Sequence, residues 1–161
     1  MKRNVKTARV AAHNRDKAPK ARRPTARTSS PITANNSPTV LVVDDDPSVL
    51  NALARLIRTA GFKVGTFDRP AALLADVLPT SNACLVIDVN LPEMNGVELC
   101  QTLVDSGRAL PAILITARND AFTHRLVEKA HTVAVLFKPI DEFALLGAIT
   151  RAVAQSLSRP E

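Results

Sequence analysis

The sequence predicts a doubly wound α/β domain, and three observations carry that expectation. Four short apolar runs, Val40–Val43, Ala83–Ile87, Ala112–Ile115 and Val133–Phe137, read as strands buried on both faces. Each ends in a polar or charged side chain: Asp44, Asp88, Thr116 and Lys138. Between the runs lie segments whose apolar residues recur at helical spacing, the alternation that builds a parallel sheet with helices on both faces.

In chain order, the first run is followed by Pro47 and Ser48, which open a helix carrying Val49, Leu50, Leu53, Leu56 and Ile57, and Gly61 stops it. A short strand spans Phe62 to Phe67. Asp68 and Pro70 are expected to open a second helix with Leu73, Leu74, Val77 and Leu78. After the Ala83 to Asp88 strand comes Val89-Asn-Leu-Pro-Glu-Met-Asn-Gly96, a loop rich in turn residues. Val97 to Ser106 and Asp120 to Ala130 read as the third and fourth helices. The fifth begins near Asp141, an N-cap candidate, with Phe143, Leu146, Ile149 and Val153 expected on one face.

Asp44, Asp45 and Asp46 follow a buried strand directly, and three adjacent carboxylates repel one another unless something positive holds them. The plainer alternative is a solvated turn or a helix N-cap. In an open α/β sheet the carboxyl ends of the strands are where ligands bind. Asp88 brings a further acid to that edge, Thr116 a hydroxyl and Lys138 an ammonium. Singly, Thr116 reads as a strand-end hydroxyl bonded to backbone and Lys138 as a surface amine; together they make a phosphoryl-transfer site. An all-oxygen donor set suits Mg²⁺ better than zinc, and no His/Cys cluster competes.

Four motifs then stand in order and register: Val-Val-Asp44-Asp45-Asp-Pro, Val-Ile-Asp88-Val-Asn-Leu-Pro-Glu-Met-Asn-Gly96, Leu-Ile-Thr116-Ala117 and Phe-Lys138-Pro139. From about Pro38 to about Gln155 the chain resembles a response-regulator receiver domain of two-component signalling. That resemblance implies a flavodoxin-like five-stranded sheet of order 2-1-3-4-5 over residues 37–157. It implies that Asp88 is phosphorylated to an aspartyl phosphate, that Asp45 and Asp88 coordinate Mg²⁺ directly, with Mn²⁺ able to substitute, and that Asp44 holds a metal-bound water. The Asn90 carbonyl would complete the protein ligands, and Thr116 and Lys138 would bind phosphoryl oxygens. The implied partners are a sensor histidine kinase or phosphotransfer protein and a downstream protein target, with phosphorylation and dephosphorylation self-catalysed rather than enzymatic in the ordinary sense. A cis Lys138–Pro139 bond would aim the ammonium into the site. Three positions depart from the family pattern: Val135 replaces an aromatic whose rotation reports phosphorylation, His131 replaces a turn glycine, and Ile140 replaces the aromatic after Lys-Pro. Asn90 and Arg118 occupy positions that tune hydrolysis in the family.

The 161-residue chain carries a net charge of +6 that hides a division. Residues 1–36 hold ten Lys/Arg against one acid, Asp16, with three Pro and few large apolar side chains; the remainder holds eleven Lys/Arg against fourteen acids. The basic segment is expected to be disordered. It fits a solvated linker or misplaced start, a weak polyanion contact, or a targeting segment. Cys84 and Cys100, in a chain with no apolar stretch of 18 residues and no signal peptide, are expected to be reduced packing residues in the cytoplasm. His13 and His124 are expected to be solvated. A haloacid-dehalogenase-type phosphatase would map its motif onto Asp44, Asp46 and Ser48, where the last position fails, and would leave the Asp88 loop without a role. A response regulator that binds DNA would need a second domain, and the chain ends at Glu161, so the sequence reads as a stand-alone receiver.

Overall fold

The computed structural model describes residues 36–128 and 132–158. The expected basic tail, apart from Asn36, lies outside the described residues, as does His131. Among the described residues five strands and five helices alternate: β1 Thr39–Val43, α1 Pro47–Thr59, β2 Lys63–Phe67, α2 Pro70–Ala75, β3 Ala83–Asp88, α3 Gly96–Asp105, β4 Ala112–Thr116, α4 Ala121–Glu128, β5 Ala134–Phe137 and α5 Glu142–Leu157. All pairings are parallel and the strand order is β2-β1-β3-β4-β5, as expected.

The three central strands read as unbroken apolar runs because both of their faces are covered. Alternate residues sort to opposite sides. Val40, Val42, Cys84, Val86, Ile113 and Ile115 join Leu50, Leu53 and Ile57 of α1 and Leu145, Ile149 and Val153 of α5 in one core layer. Leu41, Val43, Leu85, Ile87 and Leu114 join Leu73 of α2 and Leu99 and Leu103 of α3 in the other.

Helix boundaries follow from local chemistry. Asp46 caps α1, its side chain accepting from the Ser48 and Val49 amides, and Pro47 takes the first helical position. Asn95 and Glu98 form a reciprocal capping box on α3. Asp141 caps α5 through the Ala144 amide. Gly61, at φ +93, ends α1 in a conformation that only glycine adopts without strain.

Three expectations are corrected. The residue preceding α2 is Arg69, not Asp68, and it makes no side-chain cap; Asp68 instead pairs with the Arg69 side chain at 3.1 Å. That helix stops at Ala75, so Val77 does not lie on its buried face and is 92% exposed. Arg108 explains the early stop: its guanidinium donates to the carbonyls of Leu74 and Asp76, fixing the chain as it leaves the helix. On α5 the buried stripe is Leu145, Ala148, Ile149, Ala152 and Val153, whereas Phe143 is 87% exposed. Phe143 stands about 200° around the helix from Leu145, which is fully buried in the same first turn, and so falls on the face turned away from the core.

Ser156, buried near the end of α5, accepts a hydrogen bond from the Ala83 amide at 3.2 Å and so ties that helix to the start of β3. Ser156→Ala should lower the unfolding free energy by about 1 to 3 kcal/mol, the cost of stranding a buried N–H. Urea denaturation checks this; an unchanged midpoint would mean the amide finds another acceptor.

Candidate functional site

Sheet register brings the polar strand ends together. Val43 lies opposite Ile87, Asp88 opposite Ile115, and Thr116 opposite Phe137. Asp44 therefore follows the end of β1, Asp88 ends β3, Thr116 ends β4, and Lys138 follows β5. The Lys138 amide continues the ladder by donating to the Thr116 carbonyl at 2.9 Å. The Lys138–Pro139 bond is cis.

At this edge Asp44 and Asp88 are buried, with relative exposures of 2% and 6%. Lys138 Nζ donates to Asp44 Oδ2 at 2.9 Å and stands 3.5 Å from Asp88 Oδ1. The longer approach attracts as a charge without forming a hydrogen bond, so Asp88 Oδ1 is buried with no donor among the described residues. Such an orphaned oxygen is costly and marks a place where a ligand completes the structure. Asp44 Oδ1 accepts from the Asp46 amide at 2.9 Å.

Burial pushes the Asp88 carboxyl above its ordinary 3.8; the Lys138 ammonium opposes that, and the charge of Asp44 adds to it. Burial works against the Lys138 ammonium, but its bond to Asp44 and the charges of Asp88 and Asp44 outweigh burial and hold it above its ordinary 10.5.

Asp44, Asp45 and Asp88 each offer an oxygen within 4.8 Å of the others. An all-carboxylate set with one orphaned oxygen fits a hard divalent cation. Asp46, expected among the converging acids, is instead the α1 cap, so the plainer alternative holds for that one residue.

Of the remaining expected residues, Thr116 is fully buried, and its Oγ1 accepts from the Arg118 amide at 3.1 Å and from Asn90 Nδ2 at 3.3 Å. The bond to Asn90, 26 residues away, was not legible in the sequence. Neither was the role of Gly96, whose amide donates to the Val89 carbonyl. A Cβ there would meet the Asp88 carbonyl oxygen at 2.5 Å, so the loop reaches the acid only because this position lacks a side chain. Val135 is partly buried against the second core layer and Ile140 against the first. His124 is exposed, with Nε2 2.6 Å from Asn119 Oδ1 and its ring 5.9 Å from that of Phe137. Burial pushes the Cys84 thiol up to about 12 and the Cys100 thiol up to about 11, which leaves both unreactive near neutral pH.

A family model described as "Response regulator receiver domain" matches residues 40–150, a span that holds β1 from its second residue, the other four strands and all the polar strand ends described above. The chain belongs to the response regulator receiver domain family. It is 37% identical over 114 residues to response regulator protein TmoT of Ectopseudomonas mendocina, covering 71% of this chain and 52% of that protein. It is 35% identical over 114 residues to transcriptional regulatory protein FixJ of Rhizobium meliloti, covering 71% and 56%. The receiver chain thus spans about half the length of these curated relatives. Among solved structures it superposes on FixJ-N with a TM-score of 0.68 at 33% identity, covering 76% of this chain and 98% of that one. On response regulator StyR the TM-score is 0.68 at 40% identity, covering 74% and 61%. No described helix of this receiver is long and apolar enough to cross a membrane.

Proposed function

We propose that Asp88 accepts a phosphoryl group from a phosphohistidine of a sensor histidine kinase or phosphotransfer protein, and that the phosphorylated domain signals by docking to a downstream protein. The observation that carries this reading is the buried Asp88 carboxylate at a strand end, one oxygen without a donor among the described residues and an ammonium 3.5 Å from it. A carboxylate oxygen of Asp88 would attack phosphorus; the P–N bond would break, and the imidazole would leave with its electron pair and take up a proton. Hydrolysis of the acyl phosphate would return the carboxylate and release inorganic phosphate.

Asp45, Asp88 and the Asn90 carbonyl would hold Mg²⁺ directly and Asp44 through water, with Mn²⁺ able to substitute. When bound, the ion would neutralise charge on the phosphoryl oxygens. Lys138 would pair with one of those oxygens and the Thr116 hydroxyl would donate to another. The domain would thus catalyse its own phosphorylation and dephosphorylation without turning over a free substrate. Residues 37–157 would form this module, and we place it in the cytoplasm, where its two reduced thiols are at home. The ten Lys/Arg of residues 1–36 support a weak, salt-sensitive polyanion contact beside it.

Thermal melts with Mg²⁺ against chelator test the acidic cluster. Saturating Mg²⁺ should stabilise the domain by RT ln(1 + [L]/Kd), on the order of 1 to 3 kcal/mol. An identical midpoint in the two buffers would mean that Asp44, Asp45 and Asp88 hold no ion. Incubation with acetyl phosphate tests the acceptor: labelling should require Mg²⁺ or Mn²⁺, and labelling undiminished by chelator would contradict the proposal.

A further inference from the structure

We propose that the Asn90 side chain is a positioning residue for Thr116, acting through the hydroxyl rather than on the phosphoryl group itself. A threonine hydroxyl has one proton to give and two lone pairs to receive with. Here both lone pairs are occupied, by the Arg118 amide at 3.1 Å and by Asn90 Nδ2 at 3.3 Å. The proton is directed at the Arg118 carbonyl at 3.4 Å, longer than a good O–H···O bond and easily given up. The hydroxyl can therefore act only as a donor, and its proton is the one valence left for an incoming oxyanion. Two N–H groups donating to the oxygen also polarise the O–H bond and strengthen what it can give.

The two donors differ in where they tie the hydroxyl. Arg118 lies two residues along the same strand end and would hold Thr116 wherever that loop went. Asn90 lies two residues beyond Asp88, so its bond fastens the β4 hydroxyl to the loop that carries the acid. This contribution belongs to the side chain; the metal ligand proposed at Asn90 is the backbone carbonyl, which substitution to alanine retains. The inference rests on the reading of Asp88 as phosphoryl acceptor and adds a residue to it. An opposite orientation of the amide, with Oδ1 toward Thr116, would take the hydroxyl proton and predict the reverse effect.

The test is a double-mutant cycle on the initial rate of labelling by acetyl phosphate with Mg²⁺, using the full chain. Asn90→Ala should be slower by about threefold to tenfold, the effect of one hydrogen bond. In a Thr116→Ala background the same substitution should change nothing further, because the group it positions is gone. In the metal-free, unphosphorylated protein, NMR should show the Thr116 and Arg118 amide resonances shifting in Asn90→Ala while those of Leu145 and Ile149 stay in place. An equal loss in both backgrounds, an unchanged rate, or a faster one would each overturn the proposal. If the wild-type chain itself takes no label, the acceptor reading fails and this inference with it. If wild type is labelled and Asn90→Ala matches it, only this inference fails.

Discussion

Asp88→Asn should take up no phosphoryl group from acetyl phosphate and Mg²⁺, and its metal-free form should melt above the wild type. The two effects come from one cause. The carboxylate is the nucleophile, and an amide of the same shape offers no comparable oxygen. Without a cation, that carboxylate is also a liability: it is buried, lies beside Asp44, and has one oxygen with no donor among the described residues. Removing its charge should raise stability at neutral pH by about 1 to 2 kcal/mol, several degrees in melting temperature. The pH dependence has a definite sign. Because the folded protein holds the Asp88 proton more tightly than the unfolded chain, its contribution favours folding below 3.8 and is lost as pH rises through the elevated folded value. Chelator-treated wild type should therefore lose stability across that window, and Asp88→Asn should lack that component. Labelling of the Asn variant at the wild-type level would remove Asp88 from the role proposed for it.

Lys138→Met should clearly destabilise the metal-free domain. It leaves Asp44, only 2% exposed, without its 2.9 Å ammonium, and takes the nearest described cation from Asp88. Breaking a buried pair by removing one partner costs several kcal/mol; because Lys138 is one-quarter exposed, about 2 to 3 kcal/mol is expected here. Lys138 is held above 10.5, so its contribution is fully present below that value and is lost only as pH rises through the folded one. Melts at neutral pH therefore see the whole effect. Saturating Mg²⁺ should restore much of the loss, since a divalent ion among the same acids replaces the missing charge. Labelling with Mg²⁺ should remain slower by more than about tenfold, because the ion cannot also stand in for the donor to the phosphoryl oxygen. A variant as stable as wild type in chelator would show that the ammonium does not hold the acids together.

Much of this was legible before the structure because strand runs and their terminal residues are local signals. A parallel sheet covered on both faces writes each central strand as an unbroken apolar run, and its register delivers whatever follows the run to one edge. Asp44, Asp88, Thr116 and Lys138 could be placed at that edge without knowing a single distance. Charge repulsion alone did not separate Asp46 from Asp44 and Asp45, because capping depends on which carboxylate faces the first amides of α1; only the family resemblance left Asp46 out of the ligand set. The short α2 and exposed Val77 were missed because Arg108, more than thirty positions away, anchors the carbonyls at the helix end. The Asn90–Thr116 bond joins two loops and leaves no periodic trace. Phe143 was assigned to the buried stripe of α5 by spacing alone, but Leu145 offers an equally apolar start to a stripe on the opposite face of the same turn, and that is the face the sheet covers.

The most direct test of the central claim is peptide mapping by mass spectrometry of the wild-type protein after brief incubation with acetyl phosphate and Mg²⁺. The account predicts one added phosphoryl group, alkali-labile as an acyl phosphate, on the peptide containing Asp88, and none in a parallel sample treated with chelator. A phosphoryl group on Asp44 or Asp45, a stable ester on Thr116, or no modification of the Asp88 peptide under conditions that melt nothing would contradict it.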